Sequence, residues 1–408
     1  MNRRTEEQFA VYLHERLIGR LLRREDRTRF TFEKDYVSDP DRAILGLCFE
    51  ENLKGTWSAN VSLPPWFSNL LPEGILRDWV AEQRGIKEVR EMELLAEVGH
   101  DLPGAVRVLP IDEPLQDEPT WETPNAPPRT SAGVEWRFSL AGVAMKFSML
   151  EREDRFTAPA TGEYGDWIVK LPDGRHADVP SNEYAMMKLA ERVGIDVPEV
   201  RLVSRELIQD IPDQVWGQET RAYAIRRFDR TPDRRLVHVE DLAQVRGIYP
   251  ADKYMGSFET VAALVHRRRD ARALEEFTRR LAFNVLIGNG DAHLKNWSLI
   301  YRDPRRPTLA PAYDLVATFV YRPTGSPEDL GLRFDGSKRF ERITPSTFER
   351  LERKLGSSLG LRDIATQVAE DARKHRDEVR AHMTNSIHAE RVQARIAQQA
   401  ERFLASED

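Results

Sequence analysis

Short apolar runs with strand character alternate with polar turns near the start of the chain. Phe9-Ala10-Val11-Tyr12-Leu13 predicts a strand with a turn at Gly19. After Trp66-Phe67-Ser68-Asn69-Leu70-Leu71-Pro72-Glu73-Gly74 the apolar spacing changes to three and four. Two helices are predicted there, one through Ile75, Trp79 and Val80, the other through Val89, Leu94, Leu95 and Val98. A short apolar run near Val106 follows Gly99-His100-Asp101. Residues 1–110 thus read as a small mixed domain. Residues 111–132 carry Pro114, Pro119, Pro124, Pro127 and Pro128 among acidic and polar residues, the composition of a linker or surface excursion.

Residues 133–230 return to strand-like runs around one helix. Arg137 to Leu150 reads as strand, glycine turn, strand, and Asp166-Trp167-Ile168-Val169-Lys170-Leu171 as a strand stopped by Pro172. Ser181 is a candidate cap, with Asp178, Asn182 and Glu183 near the start of a helix that runs to Gly194. Tyr223-Ala224-Ile225 opens another strand, leading into Arg227-Phe228-Asp229-Arg230. From 257 to 408 the pattern is mainly helical. Phe258, Val261, Leu264 and Val265 share one face, and Leu274, Phe277, Leu281 and Val285 another, stopping at Gly288-Asn289-Gly290. The tail from Arg362 is charged and helix-prone.

Composition narrows the class. With 40% hydrophobic and 31% charged residues the 408-residue chain reads as an ordinary globular protein of two or three domains. A net charge of -6 argues against broad nucleic-acid or membrane binding. Cys48, the single cysteine, excludes an intramolecular disulfide, reads as a small buried hydrophobe and fits a reducing compartment. No apolar run approaches the roughly 20 residues of a membrane span. A cytoplasmic protein without membrane contact is expected.

Chemistry concentrates in Gly288-Asn289-Gly290-Asp291-Ala292-His293-Leu294-Lys295-Asn296, where a helix ends and Asp291 and Asn296 stand five apart in a polar loop. A hairpin pattern follows, with Trp297 to Tyr301 and Thr308 to Ala310 flanking Arg302-Asp303-Pro304-Arg305-Arg306-Pro307, and then Ala312-Tyr313-Asp314-Leu315. Phosphoryl transfer needs one carboxylate to take the proton of an incoming hydroxyl. It also needs an amide oxygen and a second carboxylate to hold Mg²⁺ against the phosphates of ATP. Asp291, Asn296 and Asp314 have the order and spacing of that set. Alone, Asp291 and Asn296 would be an Asx-rich turn; the hairpin and the second aspartate change the reading. Lys170, at the end of an apolar strand, is a candidate phosphate contact. Glu183 is the nearest helix carboxylate that could pair with it, although a snorkelling lysine and a dipole-favoured glutamate would look the same. Phe138-Ser139-Leu140-Ala141-Gly142-Val143-Ala144-Met145-Lys146-Phe147 carries small residues that would let backbone N–H groups approach phosphates. It matches neither Walker A nor G-x-G-x-x-G, so P-loop NTPases and Rossmann enzymes lose support. His293 lacks a His or Cys cluster and reads as a structural hydrogen-bonding residue, and Arg267-Arg268-Arg269 as a solvated helix face.

With these residues in view, the chain resembles the HipA family of toxin kinases. The stretches that carry the resemblance are Asn69 to Gly74, Gly99-His100-Asp101-Leu102-Pro103-Gly104-Ala105, Ser139-Leu140-Ala141-Gly142, Arg227 to Arg230, His238-Val239-Glu240-Asp241, Gly288 to Asn296 and Tyr313-Asp314. The resemblance implies an α+β, protein-kinase-like two-lobed fold with an additional N-terminal α/β domain. It implies 133–230 as the ATP-binding lobe and 231–408 as the helical lobe with the catalytic loop. Asp291 would be the base, and Asn296 and Asp314 the Mg²⁺ ligands. Lys170, Ser139, Ala141, Gly142, Val143, Arg227, Phe228, His293 and Lys295 would surround ATP. Ser139 would be an autophosphorylation site, where up to about 2 negative charges would disturb the loop. The implied substrate is a protein Ser or Thr, as in an aminoacyl-tRNA synthetase. The implied partner is a HipB-like helix-turn-helix antitoxin, with operator DNA reached only through that complex. Ala144 departs from the family loop, which commonly carries Gln there, and bears on loop closure and autophosphorylation. A small-molecule phosphotransferase of the aminoglycoside- or choline-kinase kind, and an inactive kinase-like binding component, are the alternatives.

Overall fold

The computed structural model describes residues 6–74, 77, 90–111, 145–157, 159, 163–172, 174–209, 211, 216–323 and 325–405. They fall into two compact units. The first gathers 1–142, Asp229–Lys253 and Ser298–Pro307; the second gathers Val143–Phe228, Tyr254–Trp297 and Thr308–Asp408. Residues 231–253 and 298–307, which the family resemblance assigns to the helical lobe, cluster with the N-terminal unit.

The first unit is built on an antiparallel sheet of order β4-β3-β2-β1-β5, with β1 Glu6–Leu13, β2 Arg16–Arg24, β3 Arg27–Phe32, β4 Trp57–Asn60 and β5 Val106–Ile111. Its inner face meets helix α1, Glu91–Val98, and an aromatic cluster of Phe30, Phe49, Trp66 and Phe67. The turn expected at Gly19 lies instead at His14, whose φ is 53°. Gly19 sits inside β2 opposite Phe32, because a Cβ there would lie 2.6 Å from the Phe30 ring. The helix predicted through Ile75, Trp79 and Val80 falls outside the described residues, as does the proline-rich stretch from 112. Cys48 is partly buried against this core, and burial pushes its thiol well above the ordinary range.

Two buried polar ties hold the later segments to this unit. Gly104 donates its N–H to Asp229 at 2.7 Å, and the Arg230 guanidinium reaches Asp101 at 2.7 Å and the Gly104 carbonyl at 2.9 Å. Glu240, in strand β11 (His238–Asp241), accepts from the Leu47 N–H at 3.1 Å, the Trp66 indole at 3.2 Å and the Tyr301 hydroxyl at 2.5 Å. Tyr301 lies on β12, Ser298–Asp303, which pairs with β11. The expected hairpin is formed by β12 and β13, Arg306–Leu309.

In the second unit a five-stranded sheet has the order β7-β6-β8-β10-β9. The strands are β6 Lys146–Arg152, β7 Arg155–Thr157, β8 Trp167–Lys170, β9 Val200–Ser204 and β10 Arg221–Arg226. Helix α2, Val179–Arg192, packs on β9 and β10. It begins one turn earlier than Ser181 suggests: Pro180 presets the first turn, Asp178 in the left-handed region (φ 67°) takes the cap position, and Ser181 donates to Asp178. The helical part comprises α3 Phe258–Val265, α4 Ala271–Ile287, α5 Pro345–Leu355, α6 Leu361–His375 and α7 Ser386–Leu404. Arg267–Arg269 forms an exposed turn between α3 and α4, not a helix face, because Arg268 and Arg269 turn left-handed. Among the described residues no helix is long and apolar enough to cross a membrane.

Glu240 supplies a stability prediction. Burial pushes its carboxyl from 4.5 up to about 7, outweighing the Tyr301, Trp66 and Leu47 donors that pull it down. The folded chain therefore holds a proton that the unfolded chain releases, and stability from this group is lost as pH rises from about 4.5 through about 7. Relative to Glu240→Gln, the unmodified protein gains up to about 3 kcal/mol at about pH 5 compared with about pH 8. Urea titrations of both proteins at the two pH values measure the difference, and equal gaps contradict the assignment.

Candidate functional site

The second unit's sheet presents Lys170 at the end of β8. Antiparallel pairing puts Lys146 on one side of it and Tyr223 on the other, with the Tyr223 ring centre 5.6 Å from the ammonium. Lys170 Nζ lies 2.7 Å from Glu183 Oε1 on α2 and also donates to Asp314 Oδ1. Three elements far apart in sequence thus converge on one amino group. Burial alone would lower the Lys170 pKa, but the Asp314 and Glu183 charges outweigh it and raise it. Burial likewise opposes ionisation of Asp314, yet Lys170 and Lys146 hold it down to about 2. Glu183, buried at 3% exposure, is pushed up to about 7 because desolvation and the Asp314 charge exceed the pull of Lys170. The ionic bond is therefore chiefly that of Lys170 with Asp314, and Glu183 is the drier partner behind it.

Asp314 has φ 55°, a left-handed conformation that an aspartate tolerates at some cost. The loop before it explains what holds it there. Helix α4 ends at Gly288, φ 66°, where a Cβ would run into the Arg395 guanidinium. Asn289 then donates to the Asn284 side-chain carbonyl at 2.7 Å and to the Asp314 backbone carbonyl at 3.3 Å. Thr318 accepts from the Gly290 N–H at 2.7 Å and donates to the Gly288 carbonyl at 3.2 Å. Asn296 donates to the Asp291 backbone carbonyl at 3.1 Å, closing the six-residue turn, and the Asp291 N–H bonds the Asn289 side chain at 3.0 Å. Tyr313 donates to the Lys295 carbonyl at 2.8 Å and lies 5.7 Å, centre to centre, from Phe228.

Asn289, Asn296, Tyr313 and Asp314 line one small cleft, with buried Arg280 at its back. Asp291 is 7% exposed and accepts from the Tyr254 hydroxyl at 2.5 Å; His293, 2% exposed, meets the Tyr254 ring edge-on at 5.1 Å. Arg227 is buried, with its N–H on the Asp166 carbonyl at 2.9 Å and its guanidinium on Ser148 at 2.8 Å. Ser139, Ala141, Gly142, Val143 and Ala144 lie outside the described residues. Sequence spacing gave no hint of a role for Tyr254, Thr318 or Tyr223, and Asn289 was read only as part of the helix stop and loop. Lys146 could have been found from its strand position opposite Lys170.

The donors near the cleft suit a hard cation. Asn296 and Asp314 offer an amide and a carboxylate oxygen, and among the described residues no group of three or more His, Cys, Asp or Glu forms a closed cage. Two protein oxygens completed by phosphates and water match Mg²⁺ practice.

Thr318→Val removes both of its bonds and leaves the Gly290 N–H and Gly288 carbonyl without that partner in a buried turn. The expected loss is about 1–3 kcal/mol of stability, read by urea denaturation; a change under a few tenths would contradict the bridging role.

Known proteins place this arrangement. The HipA N-terminal domain matches residues 9–109 and the HipA-like C-terminal domain residues 138–385. The chain is 41% identical over 343 residues to Y4dM of Sinorhizobium fredii, named as a candidate kinase, covering 81% of each chain. It is 26% identical over 345 residues to the serine/threonine-protein kinase toxin HipA of Shewanella oneidensis, covering 77% of this chain and 76% of that one. The solved structure of the Shewanella oneidensis MR-1 toxin–antitoxin system HipA, HipB and operator DNA complex superposes with a TM-score of 0.76 at 22% identity, over 97% of both chains, and so has the same fold. With both domain matches in order and 41% identity over most of its length, the chain belongs to the HipA family.

Proposed function

We propose that this chain is an ATP- and Mg²⁺-dependent protein kinase acting on serine or threonine. The observation that carries the reading is the convergence of Lys170, Glu183 and Asp314 beside a loop that presents Asp291 and Asn296. In this reading Asp291 accepts the proton of the acceptor hydroxyl. Asn296 and Asp314 hold the metal, which neutralises phosphate charge when bound. Lys170 turns to the phosphates, with Glu183 fixing its direction. Lys146, through its effect on Asp314, adds positive charge on the same side. Ser139, Ala141, Gly142 and Val143, outside the described residues, are assigned to phosphate binding on their sequence alone, and the backbone of Arg227 and Phe228, which follows β10, to the adenine side, while His293 and Lys295 belong to the catalytic loop. Family membership and a relative named as a kinase toxin support a toxin kinase; the target we propose for it is a translation protein such as an aminoacyl-tRNA synthetase. The HipB in the solved Shewanella oneidensis complex supports a HipB-like antitoxin as partner, with DNA contact through it.

Asp291→Asn and Asp314→Asn should each lower transfer from radiolabelled ATP at least about 100-fold, with the circular dichroism spectrum unchanged. Full transfer by either variant contradicts the mechanism, and label moving to aminoglycosides or choline in place of protein would favour small-molecule phosphorylation. Ser139 should carry phosphate in protein expressed in active form and be bare in Asp291→Asn, as read by peptide mass spectrometry; bare Ser139 in both contradicts autophosphorylation.

A further inference from the structure

The scheme above leaves the hydroxyl on Asp291 unexplained. Tyr254 Oη donates to Asp291 Oδ1 at 2.5 Å, and its ring is braced edge-on by His293 of the same loop. In this pair the phenol hydroxyl is the donor and the carboxylate the acceptor. The contact is therefore a hydroxyl donating to the base, which is the contact an acceptor hydroxyl must make before transfer. The backbone around Asp291 is separately fixed by Asn289 and Asn296, so it is the carboxylate that Tyr254 addresses.

The chain next to Tyr254 is open. Met255 is 59% exposed, and Gly256 has φ 140°, a conformation that other residues rarely adopt. Ser257 then caps α3 through the Thr260 N–H, so the segment is anchored just beyond its exposed part. An extended acceptor arriving here can offer an apolar contact at Met255 as well as a hydroxyl. A water molecule offers the hydroxyl alone and gains nothing else with which to break the Tyr254 bond.

We propose that Tyr254 is the residue that discriminates protein acceptors from water: its hydroxyl occupies an oxygen of Asp291 in place of the acceptor and yields only to a chain that brings further contacts. The inference rests on the phosphoryl-transfer reading. The reaction suppressed is hydrolysis, in which the water oxygen bonds the terminal phosphorus, the bond to the bridging oxygen of ADP breaks, and the water proton passes to Asp291, giving ADP and inorganic phosphate.

Tyr254→Phe keeps the ring on His293 and removes the hydroxyl. With Mg²⁺–ATP and no protein acceptor, phosphate release by the full chain should rise about tenfold, the rate equivalent of one hydrogen bond to a charged group. Affinity for a fluorescent ATP analogue should stay the same. Release that is unchanged or slower, in a variant that still binds nucleotide, overturns the proposal and leaves Tyr254 a support for Asp291. Wild-type protein that binds no nucleotide overturns the phosphoryl-transfer reading itself. A readout free of nucleotide tests the contact: Tyr254→Phe should lower the melting temperature by more in the wild-type background than in Asp291→Ala. Equal shifts in the two backgrounds also overturn the proposal.

Discussion

A single ammonium group shared by two carboxylates fixes the geometry of the second unit. Lys170 comes from a sheet strand, Glu183 from the helix packed on that sheet, and Asp314 from the loop after the β12–β13 hairpin. Taking the Lys170–Asp314 ion pair out of water is costly, and the cost is offset only while the pair stays together with Glu183 packed behind it. Removing one leaves an uncompensated charge in a dry place. The arrangement therefore acts as a coincidence requirement: strand, helix and loop must each be in position for the buried ion pair to be tolerated. Under the proposed function, a nucleotide that drew Lys170 towards its phosphates would have to bring its own countercharge for Asp314, and a phosphate-bound cation would supply it.

The loop that carries Asp291 and Asn296 is held by a different kind of force. Its ties are amides and a hydroxyl: Asn284 to Asn289, Asn289 to the Asp314 carbonyl, Thr318 across Gly288 and Gly290, and Asn296 back to Asp291. None of these depends on the ionic triad or on a bound ligand. Neutral hydrogen bonds in a buried loop keep their geometry when local charge changes, which suits a site whose charge must change during turnover. Asp314 stands where the two systems meet, with its carboxylate in the ionic triad, its backbone in the amide network and its φ in the left-handed region. Its strain is carried by a residue that two independent networks hold.

Much of this was legible in the sequence because it is local. The D-x-x-x-x-N spacing survives as a closed turn, the strand ending at Lys170 is a strand, and the helix stop at Gly288 is a left-handed cap. What was not legible depends on distant parts meeting. Gly19 looks like a turn until Phe30 of the next strand is seen lying against it. Ser181 looks like a cap until Thr384 and Asn385, from the end of the chain, are found converging on Asp178. Tyr254 belongs to no motif; only the fold brings its hydroxyl to Asp291. Periodicity and turn chemistry report what a segment can do alone, and these three positions are decided by a neighbour.

The N-terminal stretches show the converse, that a stretch singled out in the sequence need not carry chemistry. Gly99 to Ala105, Asp229-Arg230 and His238 to Asp241 were separate strings in the sequence. In the first unit the first two interlock through Gly104, Asp229, Asp101 and Arg230, and the third ties Glu240 to Leu47, Trp66 and Tyr301. Each is a buried polar group satisfied by partners from distant segments, so replacing any partner leaves a desolvated donor or acceptor behind. That penalty gives these stretches a structural role without any contact to substrate. The weight of the functional reading therefore falls on the second unit, where a buried charge cluster and a carboxylate presented beside an open segment demand a chemical explanation as well as a structural one.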